Sequence, residues 1–239
     1  MATLINNSKI WYDKYDFTAK MNACSIDYSA DMQDDTVFGN DTKSNKPGLK
    51  NVKASAAGFW ESGVGSVDEA FFTEIGLSGS VLSICPLAGS VGDNVFMFKT
   101  ALGQYSPGGS VGDLLKFDVT AEAFNSALVN ATLLNNSILS ASGNSTGFQL
   151  GAVPAGSKLY AGLHVIGITG TAPSLGVTIE SDDNGSFTTP TTVLTFSAST
   201  VINSQWLSLD GPTTDDYFRA SFTVSTADTF NVILSIGIA

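Results

Sequence analysis

Residues 34–50, DDTVFGNDTKSNKPGLK, separate stretches that read as β-strands, and their reading decides what kind of protein this is. The segment has neither the period of a helix nor a clean two-residue alternation. It is also longer than an ordinary hairpin connection. Three of the chain's eleven positive charges, Lys43, Lys46 and Lys50, fall inside it. Before it, residues 9–20 and 22–31 read as strands. In the second of these, Cys24, Ile26 and Tyr28 alternate with Ser25, Asp27 and Ser29, the pattern of a half-buried strand. After it, Val52, Ala54 and Ala56 alternate with Lys53 and Ser55, ahead of Phe59 and Trp60. A polar loop of this length between strands calls for a reason outside the hairpin itself.

Farther along, residues 66–76 carry the one helix signal. Ser66 is placed to cap it, Glu69 stands three residues on, and Asp68 adds favourable charge to the first turn. Phe71, Phe72 and Ile75 supply an expected apolar face, and Gly76 supplies a stop. Strand patterns resume at 80–88, 94–105, 113–124 and 127–134. Residues 135–147, NNSILSASGNSTG, are poor in charge and rich in Ser, Asn and Gly, as a linker would be. Strand patterns then recur at 147–153, 158–169, 175–181, 191–197, 204–210, 216–224 and 230–239, separated by turn clusters such as DDNGS and DGPTTDD. The expected fold is therefore mainly β. Residues 1–140 form a sandwich- or barrel-like domain with one short helix near 66–76, and residues 141–239 form a second antiparallel β-sandwich.

Composition narrows function more by exclusion than by assertion. The 239 residues carry a formal charge of −11, and acidic side chains outnumber basic ones in both halves. Such a surface repels nucleic-acid phosphates instead of holding them. No run approaches the length of a membrane-spanning helix, and the opening MATLINNSKIWYDKYD lacks the basic and apolar regions of a signal peptide. A cytoplasmic origin is expected on these grounds. Six Asn-x-Ser/Thr triplets, at Asn6, Asn40, Asn130, Asn135, Asn144 and Asn184, are then expected to be chance matches. Cys24 and Cys85 read as two buried thiols, although spacing alone leaves a disulfide open.

The chemical motifs lack their required settings. Gly108-Gly109-Ser110-Val111-Gly112 matches G-x-S-x-G, but a nucleophile elbow needs a strand before it and a helix after it. Here the serine falls in a turn between two apparent strands, and the chain's one histidine, His164, reads as a satisfied core residue. Two distant thiols and one imidazole do not make a zinc site. Residues 180–186, ESDDNGS, offer close-spaced oxygens without the terminal glutamate of an EF-hand, so an Asx-rich turn is expected instead of calcium. Trp11, Tyr12, Tyr15, Phe59, Trp60 and Trp206 suit either a carbohydrate groove or a buried core or interface, the second being favoured. The expectation is a non-enzymatic structural protein with no catalytic residues, no metal and no cofactor.

The order of two strands, a long polar loop, a strand, one helix and further strands resembles the tail tube (major tail) proteins of long-tailed bacteriophages. The resemblance rests on residues 9–134, especially DDTVFGNDTKSNKPGLKNVKASAAGFW and YSPGGSVGDLLKFDVTAEA. It implies a virion protein, assembled in the host cytoplasm, that forms closed rings with itself. Such rings are commonly hexameric, with a trimer open if the two halves are pseudo-repeats. They stack into a tube beside other tail proteins, and DNA passes through without specific binding or any membrane contact. In that family the loop after the second strand bridges successive rings. The corresponding residues here are Asp34, Asp35, Phe38, Asp41, Lys43, Lys46 and Lys50, with the lysines expected to meet acidic surface on the next ring. The second half resembles sandwich domains added to phage virion proteins. Two other readings compete: a capsid decoration or other virion surface protein, and a carbohydrate-binding module using Trp206.

Overall fold

The computed structural model describes residues 7–239, so Asn6 and the start of the opening segment lie outside the described residues. The protein is mainly β, with one short helix and two antiparallel sheets of 11 and 5 strands. Its contacts divide into two units that are discontinuous in sequence. One holds residues up to 19, 80–99 and 129–239; the other holds 20–79 and 100–128. The boundary expected near residue 140 falls inside the first unit.

In the first unit, β1 (Lys9–Tyr12) and β2 (Tyr15–Asp16) form a tight hairpin, and β1 pairs with β5 (Ser78–Cys85). The first residues of β6 (Asn94–Gly108) pair with β8 (Val129–Leu139). β8 pairs in turn with the C-terminal strand β16 (Thr229–Ile238). That pairing is why 135–147 is not a linker. Residues 135–139 complete β8, and the Asn135 amide donates to the Val232 carbonyl at 2.7 Å. The remaining residues reach β9 (Gly143–Asn144) and β10 (Phe148–Gln149), both paired with β15 (Tyr217–Val224).

β11 (Lys158–Thr169) lies between β16 and β14 (Asn203–Asp210). Its alternation is clean. Leu159, Ala161, Leu163 and Val165 enter one core with Val177 and Ile179 of β12 (Leu175–Asp182) and Phe218 and Phe222 of β15. β12 also pairs with β13 (Thr191–Thr195), so this core fills a two-sheet sandwich. A second cluster, containing Trp11, Cys85, Val95, Met97, Val129 and Ile233, receives Tyr160, Ile166 and Trp206 from its margin. The strands expected over 141–239 supply both sheets of this sandwich, but they share one of them with β8, which pairs with β16.

The second unit is a four-stranded antiparallel sheet in the order β3 (Met21–Asp34), β4 (Asn45–Phe59), β7 (Lys116–Ala123) and the latter part of β6. Val52, Ala54, Phe117, Val119 and Ala121 alternate onto its buried face. The helix α1 (Val67–Glu74) packs there through Val67, Ala70 and Phe71. Phe71, Tyr105 and Phe117 meet with ring centroids 5.8–6.2 Å apart. Two details of the sequence reading change. Phe72 and Ile75 point to solvent, because positions 67, 70 and 71 already supply the i, i+3, i+4 stripe. Ser66 makes no side-chain cap bond; Glu69 instead accepts from the Gly65 N–H, and Gly76 ends the helix at φ 77°.

Gly58 in β4 is needed for close approach. A Cβ there would lie 2.1 Å from the Lys20 carbonyl and 2.8 Å from the Phe117 ring. Gly58→Ala is therefore expected to destabilise the second unit by about 1–3 kcal/mol through overpacking, read as a lower urea midpoint at unchanged slope.

Candidate assembly surfaces

The segment 34–50 is mostly strand. β3 runs through Asp34 and β4 begins at Asn45, with Met32 opposite Pro47, Gln33 opposite Lys46 and Asp34 opposite Asn45. The expected loop is therefore corrected to residues 35–44, the end of a long β-hairpin. Alternation was invisible because this stem is solvated on both faces: residues 31–34 and 45–51 are all exposed. With no buried face, nothing constrains alternate positions to be apolar.

The seven candidate residues sort by role within this hairpin. Asp34 accepts from the Thr36 N–H and hydroxyl, and Lys43 lies 3.8 Å from its carboxylate. Asp35 pairs with Lys46 at 3.0 Å, and its N–H donates to the Ser44 carbonyl. Both carboxylates titrate below their ordinary range: Asp34 because Thr36 hydrogen-bonds it, Asp35 because Ser44 and then Lys46 do. Lys50, now within β4, places its ammonium 5.8 Å from the centre of the Tyr28 ring. Asp41 is exposed, and Phe38 is fully exposed beside Gly39 at the turn, where φ is 98°. The structure brings the lysines to partners in their own hairpin and leaves the aromatic at the tip.

Among the described residues β3 pairs with β4 alone, so its other edge is open along the strand. An unpaired edge of this length is a template for another strand, and folded proteins usually blunt such edges with Lys, Pro or short strands. Residues 21–34 contain neither Lys nor Pro. The sheet's outward face is polar and finely graded. Ser25, Ser55 and Thr120 form one row, and Asp27, Lys53 and Glu122 form another. Asp118 and Lys116 share that face.

Chemistry is scarce elsewhere. Ser110 sits exposed in the β6–β7 turn, strand on both sides, so the elbow geometry is missing. His164 is buried, and its Nδ1–H donates to the Asp13 carbonyl at 2.7 Å, which leaves Nε2 to accept from Ser83 Oγ at 2.9 Å. That order of donors matches a serine–histidine pair, but both side chains are completely buried and no substrate reaches the hydroxyl. Burial pushes the imidazole down to about 4.

Residues 180–186 form the Asx turn. Asp182 accepts from the N–H groups of Asn184 and Thr189, and Asn184 from that of Ser186. No cluster of three metal-ligating side chains occurs among the described residues. Cys24 and Cys85 are both free thiols. Trp11 and Tyr12 are core, and Trp206 packs on Tyr160 with centroids 5.5 Å apart. Trp60 donates to Asp68, which also accepts from Tyr105 at 2.9 Å.

No family model matches the chain, and no curated protein does. Among solved structures, the tail of an empty gene transfer agent (GTA) particle, refined with C6 symmetry, is 13% identical over 46% of this chain and 81% of its own, with a TM-score of 0.37. The virion of a native gene transfer agent particle gives 14% identity over 53% and 98%, with a TM-score of 0.42. The SPP1 Dit protein, described as a hub of the adsorption apparatus in phages infecting Gram-positive hosts, gives 11% identity over 98% and 100%, with a TM-score of 0.40. At these identities and scores the likenesses decide no function.

Proposed function

We propose that this chain is a non-catalytic virion subunit that closes into rings through the β3 edge and stacks them into a phage tail tube. The open edge of β3 carries the reading. Another copy's strand would satisfy its free backbone donors and acceptors and would extend the sheet from subunit to subunit. Sheets joined in this way present one continuous face inward. The outward face described above suits a passage for DNA: its Asp27, Asp118 and Glu122 outnumber Lys53 and Lys116, and serine, threonine and alanine fill the rows between. It offers a phosphate backbone no cationic track. The exposed hairpin then bridges neighbouring rings, as the sequence resemblance implies.

Sedimentation velocity over a rising concentration series tests this reading. A discrete ring-sized species followed by larger, stacked species is expected. Rings that never stack would instead fit a single-ring hub at the tail tip. A monomer at every concentration would remove the reading.

A further inference from the structure

We propose that the hairpin docks by its apolar tip, with Phe38 and Val37 seating on the outward face of α1 in a second copy of this chain. The proposal takes from the ring-and-tube reading only that copies meet. Phe38 is fully exposed and Val37 is 65% exposed, at the end of a stem with no buried side of its own. Asp34, Asp35, Thr36, Ser44 and Lys46 bond to one another, which stiffens the hairpin and holds the aromatic away from the sheet. A rigid, pre-ordered projection loses less entropy on docking than a free loop would.

The receiving surface lies on the same unit of the next molecule. Phe72 is 71% exposed, and Ile75 and Leu77 stand exposed at the C-terminal end of α1. The helix has acidic residues in its first turn and no basic residue in its last, so its own sequence leaves the negative end of the dipole able to attract a cation. The tip is complementary in both respects. It brings Phe38 and Val37 to the apolar side chains, and beside them Lys43, whose pairing with Asp34 is loose at 3.8 Å and whose side chain is 80% exposed. A tip meeting a helix is a heterologous contact, so each copy keeps a free tip and a free helix face and the contact propagates.

A mixture of variants, each with one added cysteine and the buried Cys85 kept, tests this. Phe38→Cys protein and Ile75→Cys protein, combined under mild oxidation in a Cys24→Ser background, are expected to give a disulfide-linked dimer absent from either variant alone. Phe38→Ser should weaken ring stacking about tenfold or more, while single rings still form. Cross-linking of Phe38→Cys with itself would show a tip-to-tip contact, and no cross-link in the mixture would show no tip contact with α1; each overturns the proposal. The cross-link reads contact between two copies directly, so it can succeed even where sedimentation finds no closed ring, and it can fail where rings form.

Discussion

Proline at the open edge of β3 is expected to abolish the proposed ring assembly without unfolding the subunit. Adjacent residues in a strand point their N–H groups to opposite sides, so Asp27→Pro and Tyr28→Pro have opposite consequences. One loses a ladder bond to β4 and disrupts the sheet. The other loses only a donor that faces outward, where proline is tolerated. Residues 27 and 28 lie between the two register shifts of the β3–β4 pair, in its regular part, so the contrast is clean. The outward-facing variant is expected to keep its far-ultraviolet spectrum and melting midpoint, while its ring association falls about 100-fold or more, roughly 3 kcal/mol on the affinity scale, because proline cannot donate to the partner strand. Assembly at wild-type concentration by the folded, outward-facing variant would place the ring contact elsewhere.

Acid destabilises the first unit through His164. Its imidazole titrates at about 4 in the folded chain against an ordinary 6.5, because burial disfavours the charged form more than the Asp13 carbonyl and charge favour it. The folded state therefore binds its proton less readily than the unfolded state. Stability from this group is full above pH 6.5 and is lost as pH falls toward 4. The loss totals about 3 kcal/mol over that window. Asp13 is the one charged group with a resolved influence on the ring. Its charge and carbonyl favour the protonated ring, but burial outweighs them. Urea titrations at pH 7.5 and 4.5 should show most of that loss in the wild type, and His164→Gln should remove it, whatever its own cost at neutral pH. Equal pH dependence in both proteins would show that the buried imidazole is not the titrating group. Asp34, Asp35 and Asp182, all titrating below their ordinary range, lose their contribution only at still lower pH and do not obscure the comparison.

Much of this was legible in the sequence wherever one face of a strand is buried. Cys24 and Ile26, opposite Ala56 and Ala54, follow the expected alternation, as do the strands of the sandwich, whereas Tyr28 opposite Val52 is exposed. Sequence reasoning failed where burial gives no pattern. The hairpin stem at 31–34 and 45–51 is wet on both faces, so it read as loop. Residues 135–139 read as linker because Asn135 and Ser137 use their side chains for hydrogen bonds within the strand pair, leaving only Leu139 packed against the core. On α1, the large side chains at 72 and 75 drew attention from Val67 and Ala70, which are small but fully buried. The discontinuous second unit was hidden for a different reason. Its sheet joins residues from 21–59 to residues from 100–123, and no local composition records which distant strands pair.

The candidate site divides the same way. Charge marked Lys43, Lys46 and Lys50 in the sequence, yet the structure gives two of them carboxylate partners and the third an aromatic ring, all within the hairpin. Phe38 was named with them but carried no special weight, because a single aromatic in a polar segment has no periodicity to report its exposure. The open β3 edge was likewise unreadable, since an edge strand and a central strand of equal alternation look alike until their partners are known.

Electron microscopy of the negatively stained full-length chain at high concentration tests the central claim most directly. The account predicts annuli with an open centre that stack coaxially into short hollow tubes. A field of separate monomers, with no annuli at any concentration, would contradict it.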